Sequence, residues 1–190
     1  MLKENNQDRK WTVLESEYLI KRPWLTARKD HVLLPTGAEN KEYYVLEYPD
    51  WVNVIAITKE GKFLMERQYR HGLGLTCYEI CAGVCEKGES PLESAKRELY
   101  EETGYGKGTW KHWMDISANP STTNNLCHCF LAIDVEPVST QHLEETEDIS
   151  IELLTPDEVR TLLQTDQIKQ ALMAAPLWKY FAASSPQIKP

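Results

Sequence analysis

No apolar run in this chain is long enough to cross a bilayer, so a membrane-spanning helix is not expected. The N-terminal stretch MLKENNQDRK lacks the apolar core of a secretory signal. A broad basic face is missing as well. Twenty-one Lys and Arg stand against 29 Asp and Glu, for a formal net charge of -8, which argues against nucleic acid as a partner. A small phosphate-bearing ligand stays open, because a bound metal ion reverses the local field. The five cysteines (Cys77, Cys81, Cys85, Cys127 and Cys129) contain no Cys-x2-Cys pair, and their odd number leaves no complete disulfide framework. They are expected to be free, buried thiols in a protein of the reducing cytoplasm. What is present is an apolar fraction of 42%, enough for a real core in one domain with a small accessory layer.

Period-2 patterning predicts strands over 11–20, 26–35 and 41–47, forming a small antiparallel sheet. Such a sheet cannot bury both faces alone and needs a second layer or a second subunit. Domain boundaries are therefore set at 1–48 and 49–190. Further strands are expected over 51–58 and 63–69, joined by the Lys59–Lys62 turn, and over 77–81, 110–116, 126–135 and 149–154. Helices are expected from a Ser90 cap to Gly104, from Thr155 to about Leu163, and over 167–182, the last kinked or shortened at Pro176. Leu92, Ala95 and Leu99 supply the buried stripe of the first helix. The first ten residues and the tail after Ser184 are expected to be loose.

The stretch from Gly83 to Tyr105, GVCEKGESPLESAKRELYEETGY, carries the chemistry. A glycine turn leads into a helix capped by Ser90, Pro91 and Glu93. Glu98, Glu101 and Glu102 are spaced to share one helix face. Uncompensated, they repel one another; with Mg2+ or Mn2+ they become hard oxygen ligands. Arg97 is placed to brace them, and Glu89 lies within reach from the turn. Glutamate-rich helices are common solvated faces. Turn, cap, arginine and carboxylates together in one window favour a metal site instead.

This segment resembles the signature of the Nudix hydrolases: Gly83, Glu89, Arg97, Glu98, Leu99, Glu101, Glu102 and Gly104 all fit, with Tyr105 in an aliphatic slot. The run from Glu66 to Gly72 and the Glu79–Gly83 run resemble the ADP-ribose and nucleoside-diphosphate-sugar pyrophosphatase branch, with Cys81 where that branch usually has proline. The resemblance covers about 11–181. It implies a Nudix α/β/α sandwich with a mixed sheet, and an N-terminal three-stranded sheet that makes a homodimer. It implies that the Ala82 carbonyl joins Glu98 and Glu102 as metal ligands, with Glu101 a ligand or close support. It also implies a catalytic glutamate in the acidic loop before Ile149, for which Glu145 and Glu147 are the choices and Glu144 a third. The implied reaction is Mg2+-dependent hydrolysis of the diphosphate of ADP-ribose or a related nucleoside diphosphate sugar.

On the substrate side, Arg67 and Arg70 have planar donors suited to phosphate. Arg67 alternatively pairs with Glu79, which then positions a substrate group. Trp51 offers an aromatic face for a base, with Trp24, Tyr43 and Tyr44 as alternatives. Pro120 falls near a marker proline of the ADP-ribose hydrolases. Asn125 stands where they carry an acid, which leaves the preferred diphosphate open. Another nucleotide, a dinucleotide or an alarmone is the competing substrate class, and a non-catalytic sensor is the third account.

Overall fold

The computed structural model describes residues 9–184. The looseness expected of the two ends therefore falls almost wholly outside the described residues. Among the described residues the chain divides into two compact units, one of the residues up to Tyr48 with 119–125, the other of 49–118 with the residues from Leu126 onward.

The first unit is an antiparallel meander of β1 (Thr12–Arg22), β2 (Leu25–Leu33) and β3 (Glu39–Glu47) in that order. Asp30 is buried on β2. It accepts hydrogen bonds from Arg28 at 2.8 and 3.0 Å and from the Ser16 hydroxyl at 2.7 Å, which satisfies a charge that burial would otherwise penalise. Arg28 also pairs with Glu47. The 119–125 segment belongs to this unit. Leu46 N–H donates to the Thr122 carbonyl at 2.7 Å, and the Tyr43 hydroxyl to the Ser121 carbonyl at 2.6 Å. β1 is exposed along its whole length, with Val13, Leu14, Tyr18, Leu19 and Ile20 all open.

The second unit is built on an eight-stranded mixed sheet. Its strands are β4 (Trp51–Thr58), β5 (Phe63–Arg70), β6 (Leu75–Glu79), β7 (Cys81–Val84), β8 (Tyr105–Gly106), β9 (Thr109–Ile116), β10 (Cys127–Pro137) and β11 (Ile149–Leu154). β4 is central and buried on both faces, so it reads as a nearly continuous apolar run. Val52, Val54 and Ala56 face α1 (Pro91–Thr103) with Leu64, Ala95, Leu99 and Phe130. Ile55 and Ile57 face α2 (Pro156–Gln164) and α3 (Ala171–Ser184) with Phe63, Met65, Val159 and Leu177. These helix–sheet–helix layers are the expected sandwich.

Three expectations are corrected. The strand predicted over 77–81 is two strands broken at Ile80. β4 and β5 pair only next to their hairpin and then diverge, and the two halves go separate ways: β6 pairs with β5, and β7 with β4. The last helix begins at Ala171 and runs through Pro176 without ending there; the Pro176 carbonyl accepts from the Trp113 indole at 3.2 Å. Leu92 is exposed, and the buried face of α1 is Ser94, Ala95, Leu99, Glu102 and Thr103.

Helix α1 starts as its sequence dictates. The Ser90 hydroxyl accepts from Glu93 N–H at 3.3 Å, and the Glu93 carboxylate accepts from Ser90 N–H at 2.8 Å. Ser90→Ala is expected to lower the unfolding free energy by about 1 kcal/mol with an unchanged urea m-value. An unchanged midpoint in urea titration would remove the cap from the account.

Candidate active site

The divergence of β4 and β5 leaves room for a crossing segment, and α1 packs its inward glutamates against it. Glu98 and Glu102 lie on the same inward face as Ala95 and Leu99. Glu102 accepts from Ala82 N–H at 3.1 Å, and Glu98 from Val84 N–H at 3.2 Å. Gly83 lies between these two amides within β7, not in a turn; the turn glycine is Gly88, at φ 99°. A Cβ at Gly83 would stand 2.0 Å from the Glu98 carboxyl carbon, so the closeness of helix and strand requires glycine here.

Arg97 braces the helix as expected. It donates to Glu89 at 3.1 and 3.2 Å, to Glu98 at 2.9 Å, to Glu101 at 3.1 Å and to the Val84 carbonyl at 3.0 Å. Burial pulls the guanidinium down, but the Glu89 hydrogen bonds and the charge of Glu98 hold it above its ordinary range. Glu89 also accepts from Ser94 at 2.8 Å. Glu101 is the open member of the cluster, its side chain 43% exposed against 14% for Glu98.

Burial pushes the Glu102 carboxyl up to about 8, with the Glu98 and Glu147 charges adding to it and Cys81 and the Ala82 amide opposing it. Burial likewise raises Glu98, against the Arg97 charge. Glu66, on β5, is held well above the carboxylate range by burial and then by the charges of Glu102 and Glu79. Its Oε1 is buried without a hydrogen-bond partner. Glu66, Cys81 and Glu102 each present a donor atom within 4.8 Å of the others. The two carboxylates of this set fit a hard divalent cation, which would satisfy the orphaned oxygen and relieve their repulsion, while the Cys81 thiol, kept protonated by burial, is a soft group that such an ion leaves aside. Glu102 and Glu66 could hold it, with Glu98 on the same inward helix face as Glu102.

Beside this cluster lies a cleft of about 480 Å3. Trp51, Arg70, Glu79, Ala82 and Gly83 line it. Arg70 grips Glu79 through two hydrogen bonds, at 2.8 and 2.5 Å. Two of the five guanidinium N–H donors are thereby used, and the rest remain for an anion.

The loop before β11 is tied to the end of α1. Gln141 donates to the Glu102 carbonyl at 2.7 Å, and His142 N–H to the Glu101 carbonyl at 2.7 Å, so carbonyls left open at the helix end are satisfied. This anchorage carries Glu147, half-buried, to where its charge acts on Glu102. Glu144 and Glu145 are exposed, and Glu144 N–H donates to the Glu147 carboxylate at 2.9 Å.

Not every expected residue joins the site. Arg67 alternates to the opposite face of the sheet, where it lies 4.9 Å over the Tyr78 ring and 3.7 Å from Glu152. The partner of Glu79 is Arg70, not Arg67, because cross-strand neighbours must share a face. Pro120 and Asn125 lie in the 119–125 segment of the first unit and are described with that unit alone. Four of the cysteines are buried and Cys85 is half-buried; all five are free. Glu66 is the residue that sequence reasoning missed as a site residue. Its signal was a charged residue on the inward register of a core strand, two positions after the buried Leu64.

The NUDIX domain family matches residues 47–175, and the nucleoside diphosphate sugar hydrolase N-terminal domain matches 11–46. The chain is similar to the ADP-ribose pyrophosphatase of Bacillus subtilis (35% identical, 76% of this chain and 78% of that one). It is also similar to the methanol dehydrogenase activator of Bacillus methanolicus (32% identical, 82% and 84%). A crystal structure of an ADP compounds hydrolase shares the fold, with a TM-score of 0.80 at 22% identity over 92% of this chain and 94% of that one. The glutamate helix thus lies inside a match that spans the whole second-unit sheet, and the chain belongs to the Nudix hydrolases.

Proposed function

We propose that this enzyme hydrolyses the diphosphate linkage of ADP-ribose or a related nucleoside diphosphate sugar, giving a nucleoside monophosphate and a sugar phosphate. One observation carries the reading. The buried carboxylate cluster and the 480 Å3 cleft share Ala82, whose N–H bonds Glu102 while the residue lines the cleft. A diphosphate seated in the cleft beside Ala82 and Gly83 would lie next to the strand that Glu98 and Glu102 bond. The cleft is of a size suited to small-molecule ligands. The matches to an ADP-ribose pyrophosphatase and to a nucleoside diphosphate sugar hydrolase N-terminal domain support the substrate class.

Glu98, Glu102 and the Ala82 carbonyl would hold Mg2+, with Mn2+ able to replace it, Glu101 beside them and the orphaned Glu66 oxygen available from β5. Bound there, the cation neutralises diphosphate charge and acidifies water. Arg97 keeps Glu98 and Glu101 in register through its hydrogen bonds. Arg70 directs its remaining donors to the phosphates, with Glu79 fixing its plane. Trp51 offers its ring to the base or sugar. Glu147 orients the attacking water and takes its proton, in preference to the exposed Glu145. The exposed apolar face of β1 is the surface by which two copies would join as a homodimer in the cytoplasm.

The test is a panel of nucleoside diphosphate sugars, dinucleoside polyphosphates and alarmones with Mg2+, read by product identity. The expected result is one nucleoside monophosphate and one sugar phosphate, with no turnover in chelator. Inactivity on every diphosphate would overturn the proposal. Turnover confined to dinucleotides or alarmones would move the substrate class. Light scattering at low protein concentration reads the dimer, and a persistent monomer contradicts it.

A further inference from the structure

We propose that His112, Asp115 and His128 form a second metal site, selective for a borderline transition ion of the zinc type and built from none of the residues of the glutamate cluster. Three donor atoms converge there. His128 Nδ1 lies 2.7 Å, and His112 Nε2 2.8 Å, from the same oxygen, Oδ1 of Asp115. All three atoms lie within 4.8 Å of one another. Zinc takes imidazole nitrogen and carboxylate oxygen at about 2.0–2.2 Å, so shifts of roughly an ångström or less close the set around an ion.

The backbone makes this convergence possible in an unusual way. Residues three apart on a regular strand point to opposite faces, so His112 and Asp115 should not meet. The register of β9 against β10 slips between Cys129 and Phe130: Cys129 pairs with Met114, but Phe130 pairs with His112. That irregularity turns His112 to the side of Asp115 and His128. Phe130 then restrains the His112 ring edge-on, with centroids 5.7 Å apart. Bulges of this kind recur where a strand must re-aim a functional side chain.

The histidine has the support that a metal ligand uses. His128 Nε2 lies 3.1 Å from Asp50 Oδ2, while Asp50 Oδ1 accepts from Leu126 N–H at 2.9 Å. A carboxylate on the far nitrogen orients the ring and raises the basicity of the nitrogen facing the ion. His112 and Asp115 are open to solvent, with side chains 53% and 43% exposed, so an ion has an entry path and room for water. Two imidazoles and one carboxylate suit Zn2+, Ni2+ or Co2+ better than Mg2+.

The experiment uses full-length, tag-free protein in millimolar Mg2+, which occupies the glutamate site with a hard ion. Zn2+ is titrated by calorimetry, and Co2+ by its visible spectrum. One tight Zn2+ equivalent is expected in the parent and in Glu102→Gln, and none in His112→Ala or His128→Asn. Asp50→Asn is expected to weaken the affinity about 10–100-fold. His112 is half exposed, so His112→Ala should keep its circular dichroism and its Mg2+-dependent turnover. Equal Zn2+ binding by His112→Ala and the parent would overturn the site. So would loss of the ion in Glu102→Gln alone, or absence of any Zn2+ equivalent in the parent.

Discussion

Glu102→Gln is expected to cut Mg2+-dependent turnover by about a thousandfold while making the metal-free protein more stable at pH 8. The loss follows from replacing an anionic ligand by a neutral amide in a site where charge neutralisation contributes several kcal/mol. The gain follows from burial. The Glu102 carboxyl is pushed up to about 8 from an ordinary 4.5. Below about pH 4.5 it is protonated in both folded and unfolded chains, and its contribution to stability is fully present. As pH rises towards 8, the unfolded chain releases a proton that the folded chain keeps, so stability falls. The full loss is on the order of 5 kcal/mol. Glu66 acts in the same direction. Urea unfolding in chelator between pH 5 and 9 should show this slope in the parent and a flatter one in Glu102→Gln, and saturating Mg2+ should also flatten the parent. Undiminished turnover in Glu102→Gln, or equal slopes for the two proteins in chelator, would sink the assignment.

Gly83→Ala carries the second large effect, though it adds a single methyl group. The new carbon would stand 2.0 Å from Glu98 Cδ and within 2.5 Å of both carboxylate oxygens. Glu98 is pinned by Val84 N–H and Arg97, so its carboxylate cannot swing aside without breaking both bonds. We expect activity to fall at least about a hundredfold, consistent with the sensitivity of reacting groups to displacements of about 1 Å. Overpacking of this kind costs about 1–3 kcal/mol of stability. Steady-state kinetics across Mg2+ concentrations separate the effects: a shifted Mg2+ requirement marks a displaced ligand. Parental kinetics at all Mg2+ concentrations would show that Glu98 is not held where the structure has it.

The active-site helix was legible because its signals are local. Ser90, Pro91, Glu93 and Gly104 set its ends within a few residues, and i, i+3, i+4 spacing put the glutamates on one face before any fold was known. The same spacing could not rank them. Glu98 and Glu102 point inward with Ala95 and Leu99 while Glu101 stays open, because the sheet packs on only one side of the helix. Leu92 failed as a core residue for that reason. The two arginines were equally legible as chemistry, but a strand's period of two sends Arg67 and Arg70 to opposite faces. Which of those faces the glutamates meet is settled by where α1 crosses.

The sequence by itself determined the glutamate helix, its caps, its arginine brace, most strands of the core and the family. These rest on contacts within one or two turns, or on runs whose apolar periodicity has a single reading. Only the tertiary structure decided what is long-range. Glu66 reached the carboxylate cluster because β4 and β5 diverge, Gly83 was required because Glu98 arrives against it, and Glu147 came within range of Glu102 because Gln141 and His142 tie its loop to the end of α1. The meeting of Asp50, His112, Asp115 and His128 is of the same kind. It depends on a register slip between two strands, and a pairing irregularity leaves no periodic trace in the residues that produce it.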